Sequence, residues 1–201
     1  MSPAPVFPMY RALVGVGMMC GLLIAVVYSG TLPIIERNKA EALEKAVFAV
    51  LPGAARRETI ELDGGEVHAG FDTDGKLVGV AIEASSMGYA DLVTLLYGYS
   101  PETEAIIGIR VLTSKETPGL GDKIEKDAAF LENFVALDAR LDASGTSVAN
   151  RIVTVKSGTK TEPWQIDGIT GATITSNAVG EALGNSTERW LPLVKEWADE
   201  H

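Results

Sequence analysis

A run of 24 residues without a charge, from Ala12 to Ile35, constrains this chain more than any other feature. At about 1.5 Å per residue a helix of that length reaches roughly 36 Å, enough to cross a hydrocarbon core of about 30 Å. A cleaved signal peptide is the competing reading, because Arg11 precedes the run and the small residues Ser29 and Gly30 lie near its end. The run exceeds the roughly 7 to 15 apolar residues of a signal peptide, however, and no A-x-A site follows it. Lipoprotein processing at Cys20 would want small residues where Met18 and Met19 stand. One uncleaved transmembrane helix over 12–35 is expected, after a tail of residues 1–11 and before a connecting helix over 36–56 and a domain over 57–201.

All 27 acidic residues but only 16 of the 17 Lys and Arg lie beyond residue 35, so the negative excess belongs to the part after the membrane run. Nucleic acid is not an expected partner of so acidic a surface. The lipid bilayer is. Flanking charge encodes orientation weakly: Arg11 stands on one side and Arg37, Lys39 and Lys45 on the other. A bare positive-inside count would retain the domain, but large domains are exported largely regardless of their charge. We expect a cytoplasmic N-terminus and an exported domain.

With 46% apolar residues over 201 the chain can bury a core. Its one cysteine, Cys20, excludes a disulfide framework, cysteine-ligated iron–sulfur clusters and cysteine-rich zinc sites. No metal site is expected, and His68 reads as a structural histidine on a strand.

Past the membrane run, Ala42, Ala46, Ala49 and Val50 recur at helical intervals before a Pro52-Gly53 stop. The segments "RETIEL", "EVHAGF" and "KLVGVAIEASS" read as a short meander, with "DTDG" as a turn. "AIIGIRVLTS" at 105–114 is the clearest strand, a helix is expected over about 122–134, and "RIVTVKS" forms a further strand. A last helix spans about Asn177 to Trp190, with a break at Pro192. Strands and helices do not alternate regularly, so the fold class is α+β, a mostly antiparallel sheet with flanking helices.

Two loops stand out. In "DGITGATITSNAV" (167–179), Gly171 and Ala172 leave the backbone open to close approach, and Thr173 puts a hydroxyl beside them. Ser176 or Asn177 can cap the following helix, whose first amides would favour a phosphate. In "KETPGLGDK" (115–123), Pro118-Gly119 fits the centre of a type II turn, and Gly121 adds a second point of freedom. Such a loop can offer backbone amides to the edge of a flat ring, with Leu120 against its face. Ordinary turns capped by Ser176 and Asp122 would account for the same residues.

Together, "SKETPGLGDKIEK" and "DGITGATITSNAV" resemble the G subunit of the Rnf electron-transport complex and, more distantly, the C subunit of the sodium-translocating NADH:quinone oxidoreductase, both of the FMN-binding domain family. The resemblance covers nearly the whole chain and implies FMN joined through its phosphate to Thr173. It makes Asp167 part of the signal read by an external flavin transferase, since a threonine hydroxyl is too weakly acidic to attack FAD unaided. The implied site takes Thr170, Gly171, Ala172 and Ser176 from one motif and Glu116, Thr117, Gly119, Leu120, Gly121 and Lys123 from the other, with Tyr89. Where relatives tend to show "GYGGPI" this chain has "MGYADLV", a departure that falls on the segment holding Gly88 and Tyr89 and weakens the assignment of these two to the flavin's surroundings. Tyr89 and Trp164 are candidates to stack on the ring.

The resemblance implies a membrane-anchored electron carrier, not catalytically complete alone, in an Rnf-type complex coupling ferredoxin/NAD electron transfer to ion translocation. Its partners would be the other membrane subunits of that complex and the flavin transferase. The location implied is a bacterial inner membrane, with the domain on the periplasmic or outer side. The alternatives are a C-type subunit of the quinone reductase, which usually has a longer soluble insertion, and a tethered assembly module without flavin.

Overall fold

The computed structural model describes residues 6–200, so the first five residues of the tail and His201 lie outside the described residues. The chain divides into two compact units, one ending at Ala42 and one beginning at Leu43. Helix α1 starts at Val6 and runs without interruption, Pro33 included, to Val50; its part up to Ala42 belongs to the first unit and its last turns to the second. Apart from the half-buried Leu32, its apolar side chains from Phe7 to Ile35 are exposed, as a helix solvated by lipid requires. Gly53, at φ +96°, turns the chain out of the helix at the expected Pro52-Gly53 stop.

The second unit is built on a six-stranded antiparallel sheet in simple sequential order. Its strands are β1 (Arg56–Leu62), β2 (Gly65–Phe71), β3 (Leu77–Met87), β4 (Leu92–Ser100), β5 (Ala105–Thr113) and the two-residue β6 (Leu137–Asp138). β7 (Val153–Val155) and β8 (Gln165–Asp167) form a separate parallel pair. The fold is α+β, as expected. Strand β4 was not anticipated: both its faces are buried, so the sequence "LVTLLYGYS" shows no alternation.

One sheet face packs on α3 (Thr173–Glu200). Val80, Ile82, Leu95 and Tyr97 meet Val179, Leu183, Leu191 and Val194 there. The Tyr97 phenol is wholly buried, and burial pushes its pKa up; its oxygen shares a hydrogen bond of 3.0 Å with Ser186 Oγ on α3. The helix expected over 177–190 therefore starts at Thr173 and continues through Pro192 to Glu200. Proline removes the bond to the Glu188 carbonyl, but Glu188 is on the exposed side, where water can replace it. The helix expected over 122–134 is instead a 3-10 turn, Gly121–Glu125, and a five-residue α2, Ala128–Glu132, capped by Asp127. The polar Asp127 side chain accepts from Phe130 N–H and starts a new helix rather than prolonging the old one.

The opposite sheet face receives the end of α1. Ala46, Val47, Val50 and Leu51 pack on Ala81 and Leu96. Close approach is possible because Gly70 and Gly79 face each other across β2 and β3, and Gly98 and Gly108 across β4 and β5. A Cβ on Gly70 would lie 2.6 Å from Leu51 Cδ1, and one on Gly98 would collide with the Val50 carbonyl oxygen. That oxygen belongs to backbone and cannot swing aside, so Gly98→Ala should destabilise the protein by about 1–3 kcal/mol. Thermal melts of the full chain in detergent should show the lowered midpoint, whereas Gly75→Ala, in an open turn at φ +84°, should show only a local strain cost of about 1 kcal/mol.

Candidate functional site

Strand β5 ends at Thr113, and the chain then passes Glu116 into a tight turn. Leu120 N–H donates to the Thr117 carbonyl at 3.1 Å and Gly119 has φ +80°, which is the type II turn expected around Pro118-Gly119. Gly121 N–H also donates to Thr117 O, and Gly119 N–H to Asp122 Oδ1 at 2.6 Å. The amides of Gly119, Leu120 and Gly121, expected to face a ring edge, are spent inside the loop, because a turn this tight satisfies its own donors. Nor does Gly121 need unusual φ: a Cβ there would lie 2.5 Å from Glu116 Oε2 and 3.0 Å from Thr175 Oγ1, so glycine is required for space.

The second motif follows β8. Gly171, at φ +85°, swings the backbone into α3, and the first helical bond runs from Ser176 N–H to the Ala172 carbonyl at 2.9 Å. Ala172 therefore occupies the cap position, where its methyl group cannot act as an acceptor. The amides of Thr173, Ile174 and Thr175 lie ahead of any intrahelical partner. Ser176 is not the cap: its hydroxyl is buried and accepts from Ile169 N–H at 3.1 Å, and Asn177 lies further along the helix. Strand β7 holds this start in place through Thr154 Oγ1, which donates to Ser176 O at 2.9 Å.

Between the two motifs lies a cleft of about 480 Å³, lined by Tyr89, Glu116, Thr117, Leu120, Gly121 and the five residues from Gly171 to Thr175. That volume is in the range of small-molecule sites. Thr173 presents its side chain on the exposed side, and Tyr89, Leu120 and Ile174 expose large apolar surfaces around the same space. An accessible hydroxyl, three unspent amides and apolar walls suit a ligand with a phosphate and a flat ring.

Glu116 is the other polar component. It is 7% exposed, accepts from Thr175 Oγ1 at 2.6 Å and from Ala90 N–H at 2.9 Å, and has the Tyr89 and Asp91 amides turned towards it. Burial alone would raise its carboxyl, but these donors together hold it below its ordinary value. Gly88 makes room, since a Cβ there would lie 2.5 Å from Glu116 Oε1.

Not every expected residue reaches this cleft. Asp167, Thr170 and Lys123 line a separate cleft of about 260 Å³. Asp167 Oδ1 accepts from Gly158 N–H at 2.7 Å, closing the loop after β7. Gly119 is held in its turn, and Trp164 lies just before β8, outside the lining of the larger cleft. His68 is buried on β2 and bonds Thr59 Oγ1 through Nδ1 at 3.0 Å; burial lowers its pKa. Reading the sequence missed Ile174 and the part played by Thr175, which a helix beginning at Thr173 would have exposed. It also missed Asn133, whose side chain bonds both the N–H and the C=O of Asp167 and so joins α2 to β8.

The model of the FMN-binding domain matches residues 88–188, a span containing every residue that lines the larger cleft. The chain belongs to the FMN-binding domain family. The G subunit of an ion-translocating oxidoreductase complex from Methanosarcina acetivorans is 31% identical over 184 residues, covering 88% of this chain and 89% of that relative. The G subunit of the Na(+)-translocating ferredoxin:NAD(+) oxidoreductase complex of Acetobacterium woodii is 34% identical over 131 residues, 65% of this chain and 57% of its own length. Its counterpart in the proton-translocating ferredoxin:NAD(+) oxidoreductase complex of Clostridium ljungdahlii is 29% identical over 169 residues, 84% of this chain and 83% of that one. Among solved structures, the C subunit of the Na(+)-translocating NADH-quinone reductase of Parabacteroides distasonis shares the fold, with a TM-score of 0.60 at 20% identity over 79% of this chain and 94% of that one.

The bond from Thr175 to Glu116 gives a test within the family fold. A carboxyl held low in the folded state stabilises above its ordinary value of 4.5 and loses that stabilisation as pH falls through the folded value. The charged neighbours on flanking elements, Asp91 and Asp122, are already paired with Lys115 and Lys126. Thr175→Val should therefore cost about 1.5–3 kcal/mol at pH 7, the worth of a hydrogen bond to a charged group. Denaturant melts at pH 7 and pH 3 should show the gap between variant and parent narrowing in acid.

Proposed function

We propose that this protein is a single-pass membrane subunit that transfers electrons through FMN, attached by a phosphoester to Thr173, inside an Rnf-type ion-translocating oxidoreductase complex. The observation that carries the reading is the position of Thr173: an exposed hydroxyl on the first turn of α3, in the cleft shared by both motifs. Family membership supports FMN, and three G-subunit relatives of ion-translocating complexes support the setting. The extent of the match to the Methanosarcina relative favours the G-type reading over a quinone-reductase C subunit.

In this reading the Thr173 oxygen holds the phosphate, and the amides of Thr173, Ile174 and Thr175 meet its charge at the positive end of the helix. Leu120, Tyr89 and Ile174 supply apolar surface that excludes water from the ring. When bound, FMN supplies one- or two-electron transfer, and the protein contributes position and electrostatics. Attachment requires a flavin transferase, which must reach Thr173; its exposure allows this. Thr175 is a poor target, because its hydroxyl is buried and donated to Glu116.

The full chain coexpressed with a flavin transferase should gain the mass of FMN less water and fluoresce in a denaturing gel. Thr173→Ala should abolish both signals and Thr170→Ala should keep them; flavin mapped to Thr170 or Thr175 would overturn the assignment. The domain should lie outside the cytoplasm, with α1 uncleaved. A reporter active only in the cytoplasm, fused after His201, should be silent, and a strong signal would reverse the orientation.

A further inference from the structure

We infer that Glu116 is a positioning residue for the bound cofactor, a carboxylate without a cation that ties the Tyr89 side of the cleft to the start of α3 and sets a fixed negative charge in its lining. The inference rests on the FMN reading above. Three chain segments converge on this side chain. Thr175 Oγ1 brings α3, the Ala90 amide brings the turn between β3 and β4, and Glu116 itself stands on the loop after β5. Tyr89 and Thr175 both line the cleft, so the distance across it depends on a group that both segments grip.

The group is ionised for a chemical reason. Every neighbour pointed at it is a donor: one hydroxyl and the amides of the turn. A glutamine here would aim its own amide hydrogens at one of them. Yet no Lys or Arg pairs with it among the described residues. Lys115, the residue before it in sequence, is engaged with Asp91 at 2.6 Å. Hydrogen bonds, not a counter-charge, offset the burial of this carboxylate, so its negative charge is not neutralised by a neighbouring cation. Space is also kept for it at two positions, since side chains at Gly88 or Gly121 would strike its oxygens. A charge that no cation neutralises, set in the lining of a cleft, acts on what the cleft holds. A fixed negative charge in partly buried surroundings opposes further negative charge arriving when a bound flavin is reduced.

The test uses the full chain, loaded with FMN by a flavin transferase, in detergent. Glu116→Gln removes the charge and keeps the size, though its amide turns one donor group against a donor of Thr175 or the turn. Thr175→Val keeps the charge and cuts the tie. Three readouts separate the roles: the fraction carrying flavin, the midpoint potential by equilibration with a reference dye, and iodide quenching of flavin fluorescence. We expect loaded Glu116→Gln to shift its equilibrium with the dye at least tenfold towards the reduced form, 59 mV for a one-electron couple. Thr175→Val should shift it less while making the flavin more accessible to iodide. A loaded Glu116→Gln protein with the parent's potential overturns the inference, and so does Thr175→Val with the parent's quenching. Should Glu116→Gln fail to fold, the quenching of Thr175→Val decides alone, in the same two directions. A parent chain that takes up no FMN overturns the FMN reading and this inference together; a loaded parent leaves that reading standing whatever the variants do.

Discussion

The hydrogen bonds gathered on the Glu116 carboxylate hold the site together. Without them the loop after β5, the turn before β4 and the first turn of α3 would be three independent surface segments, each closed by its own local bonds. Loops of this kind normally fluctuate more than the elements they join. One acceptor with several donors converts them into a wall of fixed spacing, and the glycines at 88 and 121 follow as consequences of its size. The signature "ETPGLG" then has a division of labour: Glu116 joins segments, Pro118-Gly119 turns the chain, Leu120 faces the cleft and Gly121 yields space.

The same arrangement explains how a helix N-terminus comes to be available. Most helices satisfy their first amides with a Ser, Thr, Asp or Asn cap. Here the cap position is Ala172, and the nearby hydroxyls are committed elsewhere: Ser176 to Ile169, Thr175 to Glu116. Thr173 alone of the three is left on the exposed side. The sequence "TGATITS" is crowded with hydroxyls, and the fold sorts them: Thr175 and Ser176 are buried and bonded, Thr170 is exposed at the smaller cleft, and Thr173 is exposed at the larger one.

Much of the fold could be read from the chain because part of its strand residues alternate, in "RETIEL" and at the end of "KLVGVAIEASS", where Ala84 is buried between exposed Glu83 and Ser85. It fails at β4, which has α3 on one face and the end of α1 on the other. The start of α3 was also hidden, for a different reason. Thr173, Ile174 and Thr175 are β-branched, with low intrinsic helix propensity, and tertiary packing overrides that preference. Both motifs were legible as loops that could meet, but the bond from Thr175 to Glu116, across 59 positions, leaves no local trace in either segment. Asp167 illustrates the converse. A charged residue beside a functional motif invites a chemical role, while its carboxylate closes the turn at Gly158.

The glycine seat under the end of α1 bears on the order of assembly. The helix emerges from the ribosome first, but the seat is distributed over β2, β3, β4 and β5 and is complete only once Gly108 has been made. Until then Val47, Val50 and Leu51 have no surface to rest on, although the segment before them can already enter a bilayer. Chains fold from the N-terminal end during synthesis only where the early part can bury itself. In this protein the last turn of α1 must wait for the sheet, and the contact it then makes depends on residues without side chains.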